Sequence, residues 1–183
     1  MSLSIYKPNS TNTGAGFSFQ IGLDGKTRET VLYIKAILQH SWDSQKKQGY
    51  FKDNLENPDK NIVLKFNEFE IGHIIHALRT RSEYNTFHSF GDDKTSIRFT
   101  PWDKVIQKKQ KTASGSWEDA KVTIPAFGVN FTRNGNQVFK IGLEPGESES
   151  IMQLCRYILQ RLYEQRVEKQ IEQIKKTQAQ QNG

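Results

Sequence analysis

Two stretches of the chain place apolar residues at one spacing, and each stretch follows a strand-like run. The first has its apolar positions at Ile71, Ile74, Ile75 and Leu78. The second repeats that spacing at Ile151, Leu154, Cys155 and Ile158. Residues three and four positions apart share one face of a helix, so each stretch predicts an amphipathic helix. Asn67 with Glu70 predicts a capping box at the start of the first helix.

Alternating apolar and polar positions predict strands before each helix. In the first half they cover 2–7, 16–23, 29–42 and 61–66. In the second half they cover 84–90, 94–102 and two strands in 127–143 joined at Asn134-Gly135, a favoured hairpin turn. The sequence therefore predicts an α+β fold built from a duplicated β-β-β-β-α unit, with two antiparallel sheets packed with two helices.

The repeats define the expected organisation of the chain. Residues 1–163 form one domain, with repeat one at about 1–81 and repeat two at about 82–163. A polar insertion at 43–60 and a basic hairpin arm at 103–122 lie outside the repeated pattern. Residues 164–183 are expected to be a helix extension that ends in a disordered tail at 177–183. The extension carries apolar residues that a small sheet cannot cover, so it either packs on another subunit or frays in the monomer, and a homo-oligomer is favoured.

Composition narrows the class of protein. Hydrophobic residues make up 35% of the 183 residues, and no apolar run is long enough to predict a membrane span. Cys155 is the single cysteine, so an intrachain disulfide is excluded and a reducing, cytoplasmic compartment is expected. The formal net charge of +6 fits a polyanionic partner without requiring one.

Basic and aromatic residues alternate onto the predicted outer face of the sheets. Cationic side chains meet phosphates, and rings stack on unpaired bases, which is what a binder of single strands needs. The candidate nucleic-acid-binding residues are Tyr6, Tyr33, Lys35, Gln39, Arg98, Trp102 and Lys104, with Lys108, Lys109 and Lys111 on the arm. Taken alone, each lysine is more typical of a solvated surface than of a phosphate contact, and the three tryptophans could equally be hydrophobic staples at strand ends.

Catalytic signals are missing from the sequence. It contains no phosphate-cradling glycine loop, no Cys-x-x-Cys and no His-Glu-x-x-His. His73 and His76 lie three positions apart on a helix, but no further ligand stands out, so they are interpreted as structural. Cys155 is interpreted as a packing residue. We therefore expect a protein that is not an enzyme and that carries no metal or cofactor.

Three segments resemble the Whirly family of single-stranded DNA-binding proteins over about residues 2–163. They are EFEIGHIIHAL at 68–78, TFHSFGDDKTSIRFTP at 86–101 and ESIMQLCRYILQRLY at 149–163. More broadly, the chain resembles the group that includes positive cofactor four and the kinetoplastid guide-RNA-binding proteins. It departs from plant Whirly proteins in lacking their Lys-Gly-Lys-Ala-Ala-Leu stretch on an early strand. The insertion at 43–60 and the extended second helix also go beyond the family core, which leaves room for a distant relative from a virus or a bacterium.

The resemblance implies largely sequence-independent binding of single-stranded DNA, in replication, recombination or repair. It also implies packing of subunits through their helices, with a tetramer favoured over a dimer, and a cytoplasmic or nucleoid-associated location. Two alternatives stay open. One is an RNA-binding protein of the guide-RNA-binding type, and the other is a structural or interaction protein without affinity for nucleic acid.

Overall fold

The computed structural model describes residues 1–113 and 115–181. The strands of the first half are β1 Ser2–Lys7, β2 Ala15–Leu23, β3 Thr30–Leu38, β4 Ser41–Asp43, β5 Gln48–Tyr50 and β6 Asn61–Phe66, followed by helix α1 Glu68–Thr80. The second half contains β7 Tyr84–Phe90, β8 Asp93–Lys111, β9 Trp117–Arg133, β10 Gln137–Leu143 and helix α2 Pro145–Gln181. Neither helix, over these residues, is long and apolar enough to cross a membrane.

The strands form two four-stranded antiparallel sheets, one from each half of the chain. Sheet 1 has the order β1-β2-β3-β6, and sheet 2 has the order β10-β9-β8-β7. Each sheet is followed by its helix, so the predicted fold class and the duplicated β-β-β-β-α unit are confirmed. The inner faces meet in one core whose largest fully buried side chains include Phe17, Phe19, Phe66, Phe99, Phe131 and Phe139.

Helix α1 begins with the predicted capping box. The Oδ1 atom of Asn67 accepts hydrogen bonds from the N–H groups of Phe69 and Glu70 at 2.9 and 3.0 Å. In return, Oε2 of Glu70 accepts from the N–H of Asn67 at 2.9 Å. The reciprocal bonds satisfy N–H groups that have no partner inside the helix, which fixes where α1 starts after β6.

The insertion folds against sheet 1 instead of looping away from it. Strand β3 ends at Leu38, and the predicted strand over 29–42 is too long because Ser41–Asp43 turn away and pair with Gln48–Tyr50. Phe51 packs edge-on against Tyr6, with 5.0 Å between ring centroids. Ile37 is buried although its strand position faces outward. The insertion therefore covers part of the outer face.

Helix α2 is held along its extension by the other repeat. Thr30 donates from both its N–H and its hydroxyl to Oε1 of Gln165 at 2.9 Å. Arg166 forms ion pairs with Glu29 and Glu68 at 3.1 and 2.6 Å. The tail prediction is wrong for residues 177–181, which continue the helix, since a helix anchored this far can propagate. Asn182 and Gly183 lie outside the described residues.

Candidate nucleic-acid interface

The outer face of sheet 2 carries a row of polar and basic side chains across neighbouring strands. Arg98 of β8 lies opposite Asn130 of β9, which lies opposite Lys140 of β10. Neighbouring strands are about 4.8 Å apart, so Arg98 and Lys140 each lie one strand away from Asn130, on either side of it. Both are exposed, and neither forms an ion pair with any residue of 1–113 or 115–181.

Trp102 covers the next part of the same face. A Cβ atom added to Gly142 would lie 3.3 Å from Cζ2 of Trp102, so the indole reaches from β8 across the sheet to β10. Ala126, which lies opposite Trp102 in the register, is buried. The tryptophan itself stays 43% exposed. A small residue at 142 thus lets the ring lie against the sheet while part of it faces solvent.

An open groove of about 650 Å³ runs between this face and the loop that joins β1 to β2. We call it the sheet groove, and six of its lining residues define it: Asn9, Thr13 and Gly14 on the loop side, and Trp102, Gly128 and Lys140 on the sheet side. Gly128 has no side chain to fill the floor of the groove. The β1–β2 loop forms a polar wall, and the sheet side carries the indole of Trp102 and the ammonium group of Lys140. Such a groove can accommodate a flat ring beside a negatively charged group.

Two lysines near the groove are paired with carboxylates at the start of α2, where Glu144 immediately precedes the helix and Glu147 lies in its first turn. Lys7 contacts Oε1 of Glu147 at 2.5 Å, and Lys104 contacts Oε1 of Glu144 at 2.8 Å. The hydrogen bond from Lys104 lowers the pKa of Glu144 below its usual value. The predicted site residue Lys104 therefore faces the side of Trp102 but already has a carboxylate partner, unlike Arg98 and Lys140.

The prediction that Gln39 faces outward is wrong. Its side chain is buried, with the residue only 5% exposed, because β3 ends at Leu38 and strand alternation ends with it. Oε1 of Gln39 accepts from the N–H of Asn9 at 2.8 Å, and Nε2 donates to the carbonyl oxygens of Asn9 and Ser41 at 2.9 and 3.0 Å. Gln39 thus ties the β1–β2 loop to the insertion and holds one wall of the sheet groove.

Three of the predicted site residues lie on the outer face of sheet 1 and do not line the sheet groove: Tyr6, Tyr33 and Lys35. The ring of Tyr33 covers Gly22, and its hydroxyl donates to the carbonyl of Leu23 at 3.4 Å. Lys35 is exposed. The structure therefore divides the predicted site residues between two sheets and does not gather them into one pocket.

The arm is a two-stranded ribbon that continues β8 and β9 beyond the core. Its register is unbroken from the Thr95–Arg133 pair to the Lys111–Trp117 pair. Because side chains alternate between faces without a bulge, Lys108 shares the side of Trp102, whereas Lys109 and Lys111 point to the opposite side. The three arm lysines predicted as one site are thus split.

Sequence reasoning missed Lys140, Asn130 and the β1–β2 loop. The Asn134-Gly135 turn was a partial signal, because a two-residue turn there would place Lys140 opposite Val129. The loop has three residues, 134–136, which shifts the register by one and places Lys140 opposite Asn130. No comparable signal existed for the loop, whose position depends on how the two sheets pack together.

The histidines and the cysteine have structural surroundings. His73 stacks on Tyr84, with 5.3 Å between the rings. Nε2 of His88 lies 2.6 Å from Oε1 of Glu70. Burial raises the pKa of Cys155 to about 12, so it is no nucleophile at neutral pH. Within residues 1–113 and 115–181, no group of three or more His, Cys, Asp or Glu side chains could hold a metal ion.

The architecture is a Whirly-like fold, and solved structures share it. WHY1 from Arabidopsis thaliana matches 88% of this chain and 84% of its own, with a TM-score of 0.54 and 13% sequence identity. WHY3 from Arabidopsis thaliana matches 89% of this chain and 88% of its own, with a TM-score of 0.50 and 14% identity. At these identities the likeness is one of fold. No protein-family model and no curated protein matches the chain.

Proposed function

We propose that the protein binds single-stranded DNA, largely without regard to sequence, through the sheet groove and the adjoining outer face of sheet 2. The observation that carries the proposal is the sheet groove itself, where Trp102 and Lys140 face the same open space. A ring that stacks on a base is worth about 1–3 kcal/mol, and every base offers a π-face, so such binding tolerates any sequence.

The placement of the cations supports a phosphate path beside the stacking site. Arg98 and Lys140 flank Asn130 in one row next to the groove, without carboxylate partners in the described parts of the chain. Phosphates bound there release counterions, so salt weakens the complex. The protein thus acts by holding bases and neutralising phosphates, and performs no covalent chemistry.

A single strand fits this site better than a duplex. The basic and aromatic residues lie on strands and in a groove that needs an unstacked base, whereas duplex readers commonly place a helix in the major groove. The family that the sequence resembles binds single-stranded DNA, and the fold shared with WHY1 and WHY3 supports extending that activity to this chain. Its setting would be replication, recombination or repair, in association with the nucleoid.

We also propose that copies of the chain associate through α2. Tyr163, Val167, Ile171 and Ile174 are exposed and recur at helical spacing. Such a stripe leaves apolar surface in water unless another helix covers it. A homo-oligomer, with a tetramer favoured, would cover the stripe and place several sheet grooves in one particle.

Filling the groove tests the proposed function. A Cβ atom at Gly128 would meet only the carbonyl of Thr100 at 3.6 Å, so Gly128→Leu fits the backbone and fills the groove with its side chain. We expect it to weaken binding of a short single-stranded DNA by about tenfold or more, since the groove can then no longer hold a stacked base. Fluorescence anisotropy of a labelled oligonucleotide measures the change.

Ser96→Leu is the matched control, because Ser96 lies on the same outer face of sheet 2 but does not line the groove. Circular dichroism checks that both variants are folded. Equal affinity of Gly128→Leu and Ser96→Leu would show that the groove is not the binding site. The same titration with RNA of equal length decides whether the groove prefers DNA.

A further inference from the structure

The two sides of the arm differ in chemistry. On the side of Trp102, the facing pair Ile106–Val122 and the nearby Ile124 are partly buried. A two-stranded ribbon alone is marginally stable in water, so these apolar contacts are what the arm needs for its own order. The opposite side, which we call the reverse face, takes no part in that packing.

The reverse face is basic and aromatic. It consists of the odd-numbered residues of the arm, among them Val105, Lys109, Lys111, Trp117 and Lys121. Trp117 is 67% exposed and Val105 is 59% exposed, so both leave apolar surface in water, which costs free energy.

Charge on the reverse face is net positive. The three lysines are exposed and form no ion pair with a residue of the described chain. Two carboxylates share this face: Asp119 lies opposite Lys109 across the ribbon, and Asp103 is paired with Arg81 at 2.9 Å. Lys109 and Lys111 are two residues apart, which places their Cα atoms about 7 Å from each other along the strand. Trp117 lies directly opposite Lys111 at the end of this row.

We propose that the reverse face is a second binding surface for single-stranded nucleic acid, so that one chain holds two strand segments on opposite sides of β8 and β9. The lysines bind phosphates of the second segment, and Trp117 stacks on one of its bases. A single strand segment cannot contact the sheet groove and the reverse face at once, because strand alternation points their side chains in opposite directions. This inference rests on the proposed function and adds a bridging activity to it.

A capture experiment separates bridging from simple binding. One single-stranded DNA is immobilised, the full-length protein is bound to it, the surface is washed, and a second, fluorescent, non-complementary strand is added. The test variant is Lys109→Gln/Lys111→Gln/Lys121→Gln, and Trp117→Ala is made separately. The control Lys26→Gln/Lys52→Gln/Lys60→Gln removes the same charge from exposed lysines elsewhere.

We expect the wild type and the control to capture the second strand. The triple reverse-face variant should retain the first strand but capture about fivefold less of the second. Trp117→Ala should show a reduction of similar size, since it removes the ring on which a base of the second strand stacks. Affinity for one short strand that fills the sheet groove should change by less than about twofold in both variants, because they leave the groove intact.

Undiminished capture by the reverse-face variants would overturn the proposal, because bridging would then come from several grooves in one oligomer. An equal reduction of capture in the control would also overturn it, since the effect would follow total charge alone. Failure of the wild type to bind even the first strand would instead contradict the proposed function. Failure of bridging and failure of single-strand binding therefore give different results.

Discussion

At the scale of single residues, the candidate site depends on small side chains as much as on functional ones. Gly142 lets the Trp102 ring lie against sheet 2, and Gly128 keeps the floor of the sheet groove low. The ring is thereby supported on one side by the sheet and open on the other. A rigid, partly exposed indole loses little conformational entropy when a base stacks on it, which favours binding.

Gln39 acts on the site through the loop that it holds. Gln39→Ala should lower the free energy of unfolding by about 1–3 kcal/mol, because Asn9 and Ser41 lose buried hydrogen-bond partners. Affinity for single-stranded DNA should also fall, while its salt dependence stays unchanged, since the substitution removes no cation that neutralises a phosphate. Urea unfolding and anisotropy at several salt concentrations measure the two effects.

The exposed Gln48→Ala, at the start of β5, serves as the control for Gln39→Ala and should change neither quantity. A Gln39→Ala protein that is destabilised but binds with wild-type affinity would show that the β1–β2 loop is not a wall of the binding site.

Glu70 gives the fold a defined dependence on acid pH. Burial raises the pKa of Glu70, but hydrogen bonds from His88 and from the N–H of Asn67 more than offset this, so the pKa lies below the ordinary value of 4.5. A carboxyl whose pKa is depressed in the folded state contributes stability above its unfolded pKa. That contribution is lost as pH falls through the folded pKa.

We therefore expect the wild type to lose more stability than Glu70→Gln when the pH is lowered from 6 to about 3. Glu70→Gln should be less stable at pH 6, and the difference should shrink on acidification. Urea unfolding across this pH range tests the prediction, with Glu83→Gln as a control at an exposed carboxyl. A constant difference between Glu70→Gln and the wild type would contradict it.

At the scale of elements, local signals predicted most of the fold. The capping box of α1 and the Asn134-Gly135 hairpin are fixed by neighbouring residues, and both were predictable for that reason. The end of β3 was not predictable, because Gln39 continues the alternating pattern of the strand. Its side chain is instead held by Asn9, in the β1–β2 loop thirty positions earlier. The split of Lys108 from Lys109 and Lys111 follows from strand alternation, so it was predictable for an arm without a bulge.

The exposed stripe of α2 predicts self-association. Ile171→Glu/Ile174→Glu should dissociate the oligomer into smaller species, because charged side chains on the stripe oppose helix–helix burial. Gln173→Glu/Gln180→Glu adds the same charge off the stripe and should leave the oligomer intact. Light scattering after gel filtration measures the mass of each variant. A wild type that is monomeric at all concentrations would contradict the prediction.

At the scale of the whole molecule, the two repeats form similar sheets whose outer faces differ. The insertion covers part of the outer face of sheet 1, where Phe51 packs on Tyr6. Sheet 2 keeps its outer face open, extends it into the arm and faces the β1–β2 loop of the other repeat across the sheet groove. The groove is thus a product of both repeats, which is why neither half of the sequence reveals it alone.

The most direct test of this account is a salt series of anisotropy titrations with single-stranded and duplex DNA of one length, for the wild type and for Arg98→Gln/Lys140→Gln. We expect the wild type to prefer the single strand. Its log affinity should fall linearly with log salt, and the double variant should show a slope shallower by about 1.4, or about 0.7 for each phosphate that is no longer neutralised. Absence of binding at low salt, a preference for duplex, or identical slopes for the two proteins would contradict the account.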